Sequence, residues 1–432
     1  KAIDRTRMRL AAALTIIVLA AQGNVLAGIC VVGPQATRTI QEALAKTADC
    51  DTVLVQAGHY REGTITIARP VVLLGEGWPI IDGEGVGEVV LVKSAHVTIA
   101  GFVVRGTAIS HVNDNAAIKC ISVTDVVIRN NRVERSFFGI YLSSVDRAIL
   151  EGNRVIGDPG TEENRRANGI HLWKCAHVNV TGNRVEHHRD GIYLEFVTDS
   201  RITYDTTAFN MRYGLHFMFS HRDSYTHNLF HDNGAGVAVM FTRDVVMTDN
   251  RFLRNRGASA YGLLLKEIND ARIERNTFAE NTVGILMDGC NRATVHANAF
   301  SNNGWAVRLF ANSTDAVFEG NTFTGNTFDV TTNGDLVLSV LKGNYWDRYR
   351  GYDLDRDGKG DVPYRPFGLF ALVTERMPYA MVLSRSLMVQ LLDQSERLLP
   401  SLTPKSLEDL SPLMHPPAAA AAGGPHVSLL TR

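Results

Sequence analysis

Histidine and methionine are concentrated in one stretch of this 432-residue chain. Eight of its fourteen histidines lie between residues 171 and 231, and four methionines fall in or just beyond that stretch: Met211, Met218, Met240 and Met247. Imidazole nitrogen and thioether sulfur form a soft ligand set that suits Cu(I). Residues that are close in sequence are not necessarily close in space. Whether these side chains share one face depends on the fold.

A second candidate metal site lies nearer the C-terminus. Acidic residues occupy relative positions 1, 3, 5 and 9 of a short segment, with glycine at position 6. They are Asp353, Asp355, Asp357 and Asp361. This spacing matches the start of a calcium-binding EF-hand loop. Position 12 is Tyr364 instead of the bidentate glutamate. Both a weak calcium site and a metal-free acidic turn therefore fit the segment.

The elements that position these residues are repeats of about 22–23 residues. Asn followed by any residue and then Val or Phe recurs through the chain, at Asn131, Asn153, Asn183, Asn228, Asn250, Asn276, Asn298 and Asn321. The long interval after Asn183 contains one skipped repeat, which passes through Asp205. A glycine with a following apolar residue keeps the same period, at Gly139, Gly169, Gly191, Gly214, Gly236, Gly262 and Gly284. Two markers with one period indicate a solenoid.

Each repeat holds short runs rich in Val, Ile and Thr that end at Gly or Asn, which is typical of strands separated by turns. The predicted fold is all-β: a right-handed parallel β-helix of about 13 coils. Stacked asparagines would form a ladder between coils, and glycine would supply backbone angles that a side chain forbids. Because the ends of a solenoid need caps, we predict a short helix over residues 37–47, capped by Thr37 or Thr39.

The same markers give the register of the strands. If the residue after each marker glycine points inward, alternation puts the second and fourth residues after it outside. The first outward column is then Tyr141, His171, Tyr193, His216, Ala238 and Leu264. The second is Ser143, Trp173, Glu195, Met218, Met240 and Lys266.

Three candidate copper ligands meet where these columns run side by side. His216, Met218 and Met240 would lie together, because adjacent coils place side chains about 5 Å apart. Glu195 and His171, one or two coils away, complete the candidate copper set. The alternative is an apolar and aromatic contact patch for a protein partner. The two interpretations are compatible, since a surface that delivers metal must also dock.

Other residues of the cluster have different predicted positions. Met247 falls at an inward position and is predicted to lie in the core. His187, His188 and His231 fall at a corner; they are secondary ligand candidates, for which a solvated surface is the preferred interpretation.

Parallel β-helices also include enzymes that act on acidic polysaccharides, so a lyase, hydrolase or epimerase is the rival interpretation. Such a site needs clustered carboxylates and basic groups. The candidates are Asp190, Glu195, Lys266, Glu267 and Asp288. The predicted register places two methionines between Glu195 and Lys266, which argues against a sugar groove.

The first 27 residues have the pattern of a secretory signal peptide. Arg5, Arg7 and Arg9 precede an apolar run that is too short for a comfortable membrane span, and Ala27 ends a cleavage-site pattern. Cleavage removes a net charge of +3 from a chain of net charge −1, which leaves −4. That balance does not indicate nucleic-acid binding.

In an exported chain, the five cysteines can form disulfides, but at least one must stay unpaired. Cys30 and Cys50 flank one unit and are candidates for a disulfide. Cys120, Cys175 and Cys290 lie on distant coils and are predicted to be buried thiols.

The sequence changes character after the coils. The predicted units are residues 28–345 for the capped β-helix, 346–366 for the acidic capping loop, 367–411 for an amphipathic helix and 412–432 for a disordered tail. The helix has a broad apolar face that includes Met381, Leu383, Leu387, Met388, Leu391 and Leu392. It could cap the rod or dock on a membrane partner, and both interpretations stay open.

The combination of signal peptide, coils and C-terminal motif resembles the NosD family, periplasmic maturation proteins of nitrous oxide reductase. The most telling part is Asn344-Tyr-Trp-Asp followed by Asp353-Leu-Asp-Arg-Asp-Gly-Lys-Gly-Asp-Val-Pro-Tyr and the helix. The resemblance covers essentially the whole mature chain. It implies a non-enzymatic role in denitrification, namely assembly of the reductase's copper–sulfide centre.

The resemblance also implies partners and location. They are the membrane subunit of an ABC transporter with its ATPase, a membrane-anchored copper chaperone that supplies Cu(I), and the apo form of nitrous oxide reductase. The protein would be periplasmic and peripheral to the inner membrane through the transporter. The apolar helix would contact the transporter, and copper would bind transiently. The copper residues themselves rest on the register, since no ligand motif of the family maps onto them.

Overall fold

The structure is a computed structural model. It describes residues 28–46, 51–110, 112–160, 162–334, 338–384, 386–398 and 407–417. The predicted signal peptide and Cys50 lie outside these residues. Cys30 is disulfide-bonded, and Cys120, Cys175 and Cys290 are buried free thiols, as predicted.

The described strands form a parallel β-solenoid of about 13 turns, which confirms the predicted parallel β-helix. A complete coil contributes one strand to each of three faces. Face 1 contains the strands Ile65–Ile67, Val90–Val92, Ala116–Ile121, Phe138–Ser143, Ile170–Trp173, Ile192–Glu195, Tyr213–Met218, the first part of Ala235–Thr248, the first part of Tyr261–Glu274, Val283–Asp288, Trp305–Leu309 and Phe328–Thr331. Face 2 contains Ile29–Val32, Thr52–Val55, Val71–Gly75, Val97–Ala100, Thr124–Arg129, Asp146–Glu151, Asn179–Thr181, Arg201–Thr203, Ser224–Thr226, the remainder of the two long strands, Thr294–His296, Thr314–Glu319 and Leu338–Lys342.

Face 3 forms a separate 13-stranded sheet. Its strands are His59–Tyr60, Ile80–Asp82, Val103–Arg105, Arg132–Glu134, Arg154–Ile156, Arg184–Glu186, Thr206–Ala208, Leu229–His231, Arg251–Leu253, Thr277–Ala279, Ala299–Ser301, Thr322–Thr324 and Tyr345–Trp346. Inside this face, aromatic rings stack coil upon coil from Phe230 to Trp346, with neighbouring centroids 4.2–5.3 Å apart. Burial of these rings stabilises the contact between coils.

The predicted asparagine ladder is present, and Asp205 takes its expected place in it. A typical rung is Asn250, whose backbone N and Nδ2 donate to Asn276 Oδ1 at 2.9 and 3.0 Å. Asn183 makes the same two bonds to Asp205 Oδ1. A second ladder, which we did not predict, runs five residues further along each coil, through Asn210, Asn233, Asn255, Asn281, Asn303 and Asn326. The ladders pair buried polar groups with each other.

The marker glycines are required for a different reason than the predicted one. None of them has a positive φ angle. At Gly191, an added Cβ would instead lie 2.5 Å from the carbonyl oxygen of Gly214 in the next coil. At the marker glycines, close approach between coils therefore excludes a side chain. The predicted backbone angles occur instead at the glycines that precede ladder asparagines, with φ of 61–65° at Gly152, Gly182, Gly320 and Gly343.

The N-terminal cap matches the prediction. A helix spans Ile40–Ala45, and the Thr39 hydroxyl accepts a hydrogen bond from the backbone N of Glu42. Ile40 and Ala43 are fully buried, so this helix covers the first coils.

The C-terminal region consists of three short helical elements. An α-helix spans Leu369–Arg376, a 3-10 helix spans Pro378–Leu383 and a second α-helix spans Leu387–Leu398. The first of these packs on the last coils, where Glu375 binds Arg308 at 2.7 Å. Another 3-10 helix, Glu163–Arg165, lies in the insertion at 157–167. Of the helices that the structure describes, none has the length and apolar character that crossing a membrane requires.

The start of the predicted disordered tail needs correction. Residues 412–417 belong to a segment, 407–417, that lies on the last coil, where the backbone N of Leu413 donates to Asn344 O at 2.9 Å. In the same segment, buried Asp409 ends the asparagine ladder by accepting from Asn344 and from Trp346 Nε1. This return closes the rod, because it satisfies the last open rung. The rest of the predicted tail lies outside the described residues.

Candidate functional site

The structure confirms the register on face 1. His216 pairs with Tyr193 on one side and Ala238 on the other. In the second outward column, Met218 pairs with Glu195 and with Met240. The predicted juxtaposition of one histidine and two methionines on adjacent coils is therefore present in the backbone pairing.

His216 is almost inaccessible to solvent. It lies on the outer side of face 1, as the register predicts, but it is only 4% exposed. The rings of Tyr193 and Tyr213 lie 4.8 and 4.7 Å from the His216 ring and cover it. Strand alternation predicts the face on which a residue lies. Its solvent exposure depends in addition on the size and orientation of the neighbouring side chains.

The two nitrogens of His216 have different surroundings. Nδ1 lies 3.5 Å from Oδ2 of fully buried Asp190, a long hydrogen-bonding contact. Nε2 is buried and has no hydrogen-bond partner. Metal-binding histidines commonly hold one ring nitrogen against a carboxylate, which orients the ring and leaves the other nitrogen for the ion. The donor set at His216 fits that arrangement.

Both methionines on this face are half-buried. The Tyr193 hydroxyl lies 3.5 Å from Met218 Sδ and 3.3 Å from Glu195 Oε2, so it links the thioether to the carboxylate. Met240 packs against the apolar cluster that begins at Ala238. The face therefore combines soft donors with an apolar contact surface. This surface is compatible with both predicted interpretations, a metal site and a contact patch for a protein partner.

His171 is not brought to His216. The Tyr193 ring stands between them, with its centroid 4.7 Å from that of His171. Asn168 Nδ2 donates to His171 Nδ1 at 2.9 Å. Burial, with a smaller contribution from the cation of Arg189, lowers the pKa of His171 to about 3. It is a neutral imidazole held in an aromatic stack.

The other members of the cluster divide between core and corner. Met247 is fully buried, as predicted. His188 is 1% exposed, which contradicts the solvated-surface interpretation. His187 is half-buried against the Phe209 ring, and His231 is half-buried beside Asp232.

An exposed aromatic stripe beside the methionines was not predicted. Phe196, Phe219 and Phe241 each follow the second outward column by one residue and are 45%, 37% and 38% exposed. Their rings stack with centroids 5.3 and 5.0 Å apart. The sequence carries the signal, since a phenylalanine stands five residues after each of three consecutive marker glycines. Exposed stacked rings next to Met218 and Met240 extend the apolar contact surface.

The acidic loop gathers three of its four predicted ligands. Candidate ligand atoms of Asp353, Asp355 and Asp357 all lie within 4.8 Å of one another. Asp361 Oδ2 instead accepts a hydrogen bond from the backbone N of Leu354 at 2.7 Å. Backbone amides also donate to the Asp353 carboxylate from Asp357 and Gly358. The loop remains compatible with both predicted interpretations, a calcium site and an acidic turn.

The predicted partner-binding residues do not all lie on one helix. Met381 and Leu383 belong to the 3-10 helix, and Met381 is partly buried against the core. Leu392 is half-buried. The second α-helix exposes Leu387, Met388 and Leu391 by 70%, 64% and 57%, while Val389 packs inward. The exposed apolar surface is therefore real but narrower than predicted.

The groups offered for a polysaccharide enzyme are not assembled into one site. In successive coils the second outward column reads Glu195, Met218, Met240, Lys266 and Asp288. Two methionines thus separate the first carboxylate from the lysine, as predicted. Asp190, in turn, lies fully buried beside His216.

Two comparisons of the sequence, with a family model and with a named relative, agree on one family. A family model described as periplasmic copper-binding protein (NosD) matches residues 152–351. A Pseudomonas aeruginosa protein named "Probable ABC transporter binding protein NosD" is 31% identical over 381 residues, which cover 84% of this chain and 88% of that protein.

Solved structures share the fold at low identity. The Streptococcus pneumoniae surface adhesin PfbA has a TM-score of 0.57 and 11% identity, over 68% of this chain and 89% of its own. The Yersinia enterocolitica family 28 exopolygalacturonase has a TM-score of 0.54 and 12% identity, over 74% and 79%. An adhesin and an enzyme share this fold, so the fold alone does not assign a function.

Proposed function

Because this chain belongs to the NosD family, we propose that it is a periplasmic accessory protein that passes copper to nitrous oxide reductase during assembly of the copper–sulfide centre. Copper is the cargo in this proposal and not a resident cofactor. The description of the family model and the transporter-binding name of the relative support this assignment.

One observation carries the copper part of the proposal. The buried Nε2 of His216 has no hydrogen-bond partner, and it shares a face with Met218 and Met240 on adjacent strands. Thioether and imidazole donors favour Cu(I) over harder ions. Half-burial of the methionines leaves the site reachable from the surface. Tyr193 and Tyr213 would have to shift for the imidazole to reach a copper ion.

The transfer step needs partners at two places on the rod. Face 1 and the exposed phenylalanines beside it suit a copper donor, a membrane-anchored chaperone, and the apo-reductase as acceptor. The exposed apolar residues Leu383, Leu387, Met388 and Leu391 suit the membrane subunit of an ABC transporter. ATP hydrolysis by the transporter's ATPase would then change contacts along the rod and gate the transfer.

The copper site is tested by anaerobic titration of the protein with Cu(I) against a competing chelator. Variants His216→Gln and the pair Met218→Leu with Met240→Leu remove ligands while they keep side-chain volume. Met247→Leu, a change of the same type in the core, is the matched control. Loss of tight binding in the first two variants but not in the control supports the proposal. Unchanged binding in both, or none in the parent protein, contradicts it.

A further inference from the structure

A cavity under the insertion at 157–167 is lined by unpaired polar atoms. Its volume is about 190 Å³, and it lies at the corner between face 3 and face 1, next to the chain that connects the strands Arg184–Glu186 and Ile192–Glu195. Three of its lining residues, Ser136, Arg166 and His188, each carry a buried polar atom with no hydrogen-bond partner: Oγ, Nε and Nε2 respectively. Buried polar atoms are normally paired. Three unpaired atoms around one cavity therefore indicate a ligand that pairs them.

The charge of the cavity points to an anion. Arg135, Arg165 and Arg166 line it, against one acidic residue, Asp158. None of the three arginines forms an ion pair with a residue that the structure describes. Arg166 Nη2 donates to the carbonyl of Pro159, which holds the guanidinium in place, and the buried Nε of the same group has no partner. Fixed guanidinium groups are suited to oxyanions, which accept several hydrogen bonds at once.

His188 narrows the class of anion. The ring hydrogen-bonds the backbone carbonyl of Ala167, which can only accept, and Nε2 has no partner, so in the neutral ring Nε2 carries a lone pair. A neutral Nε2 accepts a hydrogen bond, and the ligand must supply the donor. Hydrogen phosphate offers both O–H donors and anionic acceptors, whereas sulfate at neutral pH offers acceptors alone.

We infer that this cavity binds a protonated oxyanion of the phosphate type, with Arg166 and Ser136 donating to its oxygens and His188 accepting from its hydroxyl. Arg135 and Arg165, at the exposed edge, attract the anion and bind it from outside. The site does not include His216, Met218 or Met240, so it is independent of the copper proposal, although it uses His188, which the sequence offered only as a secondary ligand candidate.

The test is calorimetric titration of the full chain with inorganic phosphate at pH 7, and with sulfate at equal ionic strength. Saturable phosphate binding is expected, at least tenfold tighter than sulfate binding. Arg166→Gln should weaken phosphate binding at least tenfold. His188→Leu should abolish the preference for phosphate. Arg251→Gln, an exposed arginine of face 3 remote from the cavity, should change neither.

Three outcomes would overturn the inference. They are no saturable binding at millimolar phosphate, equal affinity for phosphate and sulfate in the parent protein, and equal weakening by Arg251→Gln and Arg166→Gln. If His188→Leu does not fold, Arg165→Gln replaces it, because that side chain is exposed and its loss does not open the core. Phosphate binding that is unchanged in both variants, Arg165→Gln and Arg166→Gln, would also contradict the inference.

Discussion

The one carboxylate within the run of ladder asparagines gives a quantitative prediction. Asp205 Oδ1 accepts from both nitrogens of Asn183, while Oδ2 is buried without a partner. In the next rung, Asn228 Nδ2 donates to the carbonyl of Ile202. Strand pairing places the carbonyl of Val180 at the equivalent position for Asp205. A protonated Asp205, or an asparagine in its place, would have a donor for that carbonyl, whereas the carboxylate has none.

The size of the effect follows from the pKa. Burial raises the pKa of Asp205 from 3.8 to about 7. Since the folded state binds the proton more tightly, the stabilising contribution is complete below the unfolded pKa and is lost as the pH rises through about 7. About three pKa units correspond to roughly 4 kcal/mol. We therefore expect Asp205→Asn to match the parent protein only below about pH 4, and to exceed its unfolding free energy by roughly 1.6 kcal/mol at pH 5 and by up to about 4 kcal/mol at pH 8.

The assay is urea unfolding followed by circular dichroism at both pH values. Comparing variant with parent at each pH cancels other buried carboxyls such as Asp223 and Asp329, whose pKa values are also raised by burial. The reverse change, Asn250→Asp, should destabilise more at pH 8 than at pH 5. A gain in Asp205→Asn that is equal at both pH values, or a loss at pH 8, would refute the reasoning.

Three further predictions concern the surface and the ladder. Leu387→Glu with Leu391→Glu should weaken binding to the detergent-solubilised transporter at least tenfold, because it charges an apolar contact; Gln394→Glu on the same helix is the control, and equal effects would count against docking. Millimolar Ca²⁺ should stabilise the protein by about 1.4 kcal/mol at ten times Kd, measured by thermal unfolding; Asp353→Asn should remove the gain, and a gain of equal size with Mg²⁺ would argue against a calcium site. Asn276→Ala should lower the unfolding free energy by about 3 kcal/mol, since it leaves buried donors of Asn250 unpaired; a loss no larger than that of exposed Asn130→Ala would show that the ladder adds little.

The coil register could be predicted because residues within each coil determine it. A glycine and an asparagine per coil give the phase, and strand alternation then assigns each side chain to a face. This reasoning placed Met218 beside Met240 and Met247 in the core. The second asparagine ladder was predictable by the same method, since it follows the first by five residues. The exposed phenylalanine stripe had an equally local signal.

What could not be predicted depends on contacts between distant segments. The burial of His216 results from how the rings of Tyr193 and Tyr213 lean over it, which alternation does not specify. Asp409 completes the asparagine ladder from a position 65 residues after Asn344. No local sequence pattern indicates that the segment 407–417 lies against the last coil. The cavity at His188 likewise exists because the insertion at 157–167 folds over a neighbouring coil.

The most direct test of the copper proposal is X-ray absorption spectroscopy of the protein loaded with one equivalent of Cu(I). The account predicts sulfur and nitrogen scatterers together, from the two thioethers and His216. The sulfur contribution should disappear in Met218→Leu with Met240→Leu and persist in Met247→Leu. A spectrum with nitrogen and oxygen ligands alone, or one that the paired variant leaves unchanged, would contradict copper binding on face 1.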